Sequence, residues 1–128
     1  MNLVFGLWEK RFFHGIELFN RKKFFEAHEE WEKLWMDTPK DDALRDFYKG
    51  LIQAAAVYEH VRRRNTAGAA GLLATAPALL ERFAPRMQGM DVRALLADLE
   101  RSRAEILEAA GDASKLESVR PPQIKLWL

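Results

Sequence analysis

The chain has 128 residues, 48% of them hydrophobic and 30% charged, with a formal net charge of +1. That balance describes one ordinary globular domain over residues 1–128 and offers no strong field for nucleic acid or an anionic membrane. The absence of cysteine excludes disulfides, thiolate metal sites and cysteine nucleophiles, and it fits a reducing cytoplasm.

The N-terminal stretch MNLVFGLWEKRFF lacks a basic region ahead of an unbroken apolar run, so no signal peptide is expected. Phe5, Trp8, Phe12, Ile16 and Phe19 recur at helical spacing and predict a first helix with one apolar face; Lys10, His14 and Glu17 fall on the polar side. A turn around Asn20 leads to a second helix, from about Lys23 to Asp37, which Pro39 ends. Asp41 or Asp42 can cap a third helix, from about Ala43 to Arg64. Its middle, GLIQAAAVY, is apolar nearly all round, which places this helix at the centre of the protein. The same stretch is too short to span a bilayer. Arg62, Arg63 and Arg64 close the helix with cations at its favourable carboxyl end, a solvated run that gives no case for nucleic acid.

A fourth helix is expected from Asn65 to Phe83, kinked or divided by Pro77. The segment APRMQGMD reads as a loop. Asp91 is the expected N-cap of a fifth helix, from Val92 to about Ala110, with the stripe Val92, Leu95, Leu96, Leu99, Ile106 and Leu107 and a stop at Gly111. The tail RPPQIKLWL is extended at Pro121 and Pro122 and then strongly apolar, so it should dock on the body or on a partner chain. With no strand-like alternation and no repeat, the class is all-α: a compact bundle of about five helices around a buried third helix, with an extended C-terminal tail.

The chemistry concentrates in FFEAHEEWEKLW. At about 100° per residue, Phe24, Ala27, Trp31, Leu34 and Trp35 share one side of the second helix, and His28 falls between Phe24 and Trp35. Glu32 follows one turn later on the shoulder of that face, while Glu29 lies near the edge of the polar side. On the third helix Lys49, Gln53, Ala56 and His60 form one stripe, with Gln53 in the most apolar part of the chain. A buried amide without partners costs about 1–3 kcal/mol, so Gln53 is expected to meet His28 and Glu32. The expectation is a buried polar cluster of His28, Glu32, Gln53 and His60. Such clusters most often hold a core together. Two histidines and a carboxylate also have the composition of a metal site, yet the chain contains neither a Glu-x-x-His pair nor His-Glu-x-x-His.

These residues carry a resemblance. FNRKKFFEAHEEWEKLW, then FYKGLIQAAAVYEH, RNTAGA and GMD, in this order and spacing from about Phe19 to Asp91, resemble the small all-helical bacterial and archaeal proteins of domain-of-unknown-function family 309. The resemblance implies a compact helical bundle and no established activity, so it assigns no catalytic residue. Its motif covers Ala27, His28, Glu29, Trp31, Glu32, Gly50, Gln53, Asn65 and Gly68, which adds Glu29 and Asn65 to the candidates. Pro77 departs from the uninterrupted helix usual in such proteins.

The residues therefore specify a cytoplasmic helical-bundle protein whose polar cluster is structural or binds a small ligand through His28, Glu29, Glu32, Gln53, His60 and Asn65, with no cofactor and no metal. A second reading is a metal-dependent hydrolytic enzyme with His28, Glu32 and His60 as ligands and Glu29 as base. A third is an interaction module, or a homo-oligomer, that works through the apolar tail. Enzymatic activity is left open.

Overall fold

A tryptophan that must be buried sets the first packing step. In the computed structural model, which describes the backbone of residues 3–127 and the side chains of residues 10–127, α1 (Leu3–Asn20) and α2 (Phe24–Asp37) form an antiparallel hairpin. Phe12, Ile16 and Phe19 of α1 face Phe24, Ala27, Trp31 and Leu34 of α2, all of them buried. The Trp31 indole Nε1–H donates to the carbonyl of Phe12 at 3.1 Å. The ring lies so close to α1 that a Cβ at Gly15 would sit 2.1 Å from Trp31 Nε1. The side chains of Phe5 and Trp8, also expected on this face, lie outside the described residues.

The turn into α2 uses Lys22 at a left-handed φ of 63°. Its amide returns to Phe19 O, and that of Lys23 to Leu18 O, which satisfies carbonyls at the end of α1. α3 (Leu44–Arg62) runs back antiparallel to α2: Arg45 at its start stacks over Trp35 near the end of α2, 4.1 Å from the ring centroid. Asp42 Oδ1 accepts from Leu44 N at 2.9 Å; Asp42 stands one residue ahead of the N-cap, Ala43, which makes no side-chain cap of its own. α3 packs against α2, against α4 (Thr66–Leu73), against α5 (Ala76–Glu81) and against a 3-10 turn over Ala113–Ser118. It is the central helix.

Pro77 divides the expected fourth helix into α4 and α5 by standing in the first turn of α5, where its missing N–H costs nothing. The expected loop after it is partly a hairpin. β1 (Arg86–Met87) pairs antiparallel with β2 (Met90–Asp91). Gln88 and Gly89 make the turn with φ of 52° and 81°, the left-handed pair that a two-residue hairpin requires. Strands this short carry no readable alternation, which is why the sequence pattern misses them.

α6 (Val92–Glu108) begins at Asp91, whose Oδ1 accepts from Ala94 N at 2.9 Å. Val92, Leu95, Leu99 and Ile106 are buried, but Leu107 is exposed; the stripe is completed by Ser102. The Ser102 hydroxyl lies 2.8 Å from Tyr58 Oη of α3, and burial pushes the Tyr58 phenol well above its ordinary pKa. Gly111 stops the helix region at a φ of 87°. The tail then docks on its own chain. Asn20 grips its backbone, accepting from Ile124 N at 2.7 Å and donating to Ile124 O at 3.1 Å. Leu126 bridges Met90, and Trp127 N donates to Gly89 O at 2.6 Å. Among the described residues no helix is long and apolar enough to cross a membrane.

Two alanine substitutions separate close packing from backbone preference. Gly15→Ala forces a methyl into the Trp31 ring and is expected to lower stability by about 1–3 kcal/mol. Gly71→Ala, in α4 with nothing within 4 Å of the new methyl, is expected to raise it by about 0.4–1 kcal/mol. Urea midpoints of the two variants should move in opposite directions. A neutral Gly15→Ala would refute the Trp31 packing.

Candidate functional site

α2 places His28 at the edge of its buried arc, and α3 places Ala56, Glu59, His60 and Arg63 across the seam. These five and Phe25, one turn before His28, line a pocket of about 150 Å³. The His28 and Phe25 rings lie nearly parallel, with centroids 6.3 Å apart and planes 15° apart. His28 Nε2 is 3.7 Å from Glu32 Oε2, one turn along α2. His28 Nδ1 is buried and has no hydrogen-bond partner.

His60 is held from the other side. α3 ends with Arg64 at a left-handed φ of 60°, and the Asn65 amide returns to His60 O at 2.8 Å. This geometry brings the Asn65 side chain back over the last turn of α3. Asn65 then does two things. Its Oδ1 accepts from Gly68 N at 2.9 Å, capping α4, and its Nδ2 stands 3.1 Å from His60 Nδ1. The cap fixes the orientation of the amide: with the oxygen committed to Gly68, the nitrogen faces the histidine and donates to Nδ1. A Cβ at Gly68 would lie 2.7 Å from both Asn65 Nδ2 and His60 Nδ1, so only a glycine there leaves room for the contact.

Glu59, in the pocket wall, accepts from Arg62 at 2.6 Å and from Arg63 at 3.1 Å. Arg62, more than any other neighbour, holds the Glu59 carboxyl below the usual carboxylate range.

The structure corrects the expected cluster. The side chains of His28 and Glu32 are 30% and 49% exposed, so the pair lines a seam and is not interior. Gln53 does not hydrogen-bond with them. Its Oε1 accepts from the hydroxyl of Thr75, between α4 and α5, at 2.6 Å. The reason is geometric: the stripe Lys49, Gln53, Ala56, His60 follows the flank of α3, where every member is partly or fully exposed. The amide therefore needs no buried histidine to satisfy it. Glu29 is exposed and is not part of the pocket wall. Among the described residues no three His, Asp or Glu side chains gather closely enough to hold a metal ion, so His28, Glu32 and His60 do not form a ligand set. His14, expected on the surface, is exposed and lies 3.8 Å from Glu30.

The structure thus joins His28 with Glu32, and His60 with Asn65, around one pocket. Sequence reasoning placed Ala56 on the stripe with His60 but gave it no part in the site, and it missed Phe25, Glu59 and Arg63. Helical spacing could have found them, because Phe25 precedes His28 by one turn and Ala56 precedes His60 by one turn.

Fold and site together define a small α-helical bundle with a two-histidine groove between its second and third helices. Residues 12–72 match the family described as Domain of unknown function (DUF309), and the resemblance read from the sequence holds over that segment. The match begins earlier than the quoted motifs and ends before GMD and the tail. It contains every residue of the groove. Over 66 residues the chain is 36% identical to "Uncharacterized protein YpuF" of Bacillus subtilis (strain 168), a stretch that covers 52% of this chain and 37% of that protein. The chain therefore spans well under two-thirds of that relative's length.

The Glu59 ion pairs make a pH-dependent contribution with a defined sign. A carboxylate whose folded pKa is depressed stabilises the fold above its unfolded value, and that stabilisation is lost as pH falls through the folded value. Glu59→Gln is therefore expected to be less stable than the parent at pH 7. The gap should close below pH 4.5, the ordinary value from which Glu59 is lowered. Urea midpoints of both proteins at pH 7 and at about pH 3 check this; a gap that persists unchanged at the lower pH would contradict it.

Proposed function

We propose that this protein binds a small organic ligand in the groove between α2 and α3, with His28 and His60 as the polar contacts and Phe25 and Ala56 as the apolar wall. The observation that carries the reading is the pocket itself, whose wall combines the Phe25 ring and Ala56 with two histidines from facing helices. Such a mix of apolar surface and a few polar groups is what small-molecule sites offer. Glu32 and Asn65 orient the two rings. The volume, about 150 Å³, is below that of drug-sized pockets and suits a single ring.

Glu29 is not at the pocket, and His28, Glu32 and His60 are not grouped as ligands, so binding is favoured over metal-dependent hydrolysis. The cysteine-free composition supports a reducing, cytoplasmic setting for this activity.

Single-ring aromatic fragments at millimolar concentration, followed by side-chain NMR, test the proposal. Saturable shifts are expected at His28, Ala56 and His60. Ala56→Leu should fill the groove and abolish them, with little change in thermal stability because residue 56 lies on the half-buried flank of α3. Fragments that leave these signals unmoved, or that bind Ala56→Leu equally well, would exclude the groove as a ligand site.

A further inference from the structure

We infer that this chain pairs with a second copy of itself through the face formed by α6 and the α4–α5 joint. The two α6 helices run antiparallel, with Leu107 of each copy beside Leu96 of the other and Arg103 of each against Glu100 of the other.

The face contains a cavity of about 530 Å³, distinct from the groove between α2 and α3. Ala74, Pro77 and Ala78 line it on one side and Leu96 and Leu99 on the other, with Glu81, Glu100 and Arg103 as its charged members. No side chain from Thr66 to Leu80 is charged, yet Ala74 and Ala78 are exposed. A helical segment that is apolar all round is ordinarily covered. No residue of the C-terminal tail lines this cavity, and the tail is docked elsewhere on its own chain.

α6 carries a stripe that ends in the open. Leu96, Glu100, Arg103 and Leu107 stand four, three and four residues apart, so they fall within about 60° of one another around the helix. Leu107, one turn beyond Arg103, is 51% exposed. Elsewhere on α6 the charges are neutralised within the chain: Arg101 pairs with Asp98 and with Glu105. Among the described residues Glu100 and Arg103 form no ion pair, and both are exposed.

The stripe is its own complement. It reads leucine, acid, base, leucine in one direction and leucine, base, acid, leucine in the other. When two such helices run antiparallel and cross midway between Glu100 and Arg103, both leucine pairs and both opposite-charge pairs meet at once. Each pair is centred on the same point of α6, so one register serves them all. A twofold axis through that point repeats every contact, as a closed dimer requires. A parallel pairing would set like charges together. The small side chains of Ala74 and Ala78 leave room for the second helix. A small ligand or a foreign helix would also fill the cavity, but a second copy accounts in addition for the exposed leucine and for both unpaired charges. The apolar contacts supply the attraction, and the exposed ion pairs, weak in themselves, set the register.

Sedimentation equilibrium of the full chain, from micromolar to millimolar concentration, should show monomer and dimer in exchange. Glu100→Arg and Arg103→Glu each set like charges against one another at both symmetric contacts, and each alone is expected to weaken the dimer at least about a hundredfold. An equimolar mixture of these two variants restores opposite charges at both contacts, so it should form a one-to-one dimer of near-parent affinity. Leu107→Asp should be monomeric. All three side chains are exposed, so thermal melts of the variants at low concentration should match the parent.

A parent chain that stays monomeric at millimolar concentration would overturn the inference and leave the cavity to another occupant. A dimer that survives the charge reversals or Leu107→Asp, or a mixture of the two reversals that stays monomeric, would overturn it as well. The parent's mass and Leu107→Asp decide the matter even if a charge-reversed variant does not fold.

Discussion

The structure depends on one close approach, that of the Trp31 indole to the backbone of α1. The ring reaches the Phe12 carbonyl only because residue 15 has no side chain. The contact buries the largest side chain of the core and satisfies its N–H in the same step, so no polar atom is stranded by the burial. Other rings follow from it. Phe19 packs 6.0 Å from Trp31 and edge-on to both Phe24 and Tyr58. Tyr58 reaches Ser102 and ties α3 to α6. A path of aromatic contacts, closed by one hydrogen bond at each end, thus runs from α1 across the central helix to α6.

That path also decides where polar chemistry can sit. With Trp31 turned into the core, a residue three positions earlier on α2 falls at the rim of the buried arc. His28 therefore meets the flank of α3, where Ala56 is small enough to leave a gap. The groove is a consequence of helix phase: two apolar faces meet fully, and their shoulders do not. A histidine on the shoulder keeps one nitrogen toward solvent and its carboxylate neighbour, and the other against protein. This division leaves Nε2 3.7 Å from Glu32 Oε2 and Nδ1 buried without a partner.

Most of the fold was legible because it rests on apolar periodicity. The faces of α1 and α2, the central place of α3, the break at Pro77 and the cap at Asp91 all follow from spacing and from single residues with strong backbone preferences. The Gln88–Gly89 hairpin was not legible, since two-residue strands have no period and only a left-handed pair marks the turn. Leu107 was assigned inward because periodicity reports hydrophobicity and not the partner available; Ser102 is inside because Tyr58 offers it a hydroxyl. For the site, the residues were found but their association was not. Helix phase placed His28, Gln53 and His60 near the seam between helices two and three. Whether Gln53 bonds to His28 or to Thr75 depends on where α5 begins, and no helical wheel contains that.

Asn65 shows why the remaining information is three-dimensional. Read along the chain, it is an ordinary cap at the start of a helix. Its second role exists only because Arg64 takes a left-handed conformation and turns the chain back over His60. A non-glycine residue held there carries a local conformational cost, and the paired amides of the turn offset it. The same turn that ends α3 therefore orients the amide, and the amide stands 3.1 Å from the histidine ring. The groove is lined from two helices, and the Asn65–His60 contact at its edge is fixed by a helix terminus. Rigid elements of this kind hold a site more closely than a loop would. The orientation of His60 is thus a property of the fold itself, established when α3 stops and α4 begins.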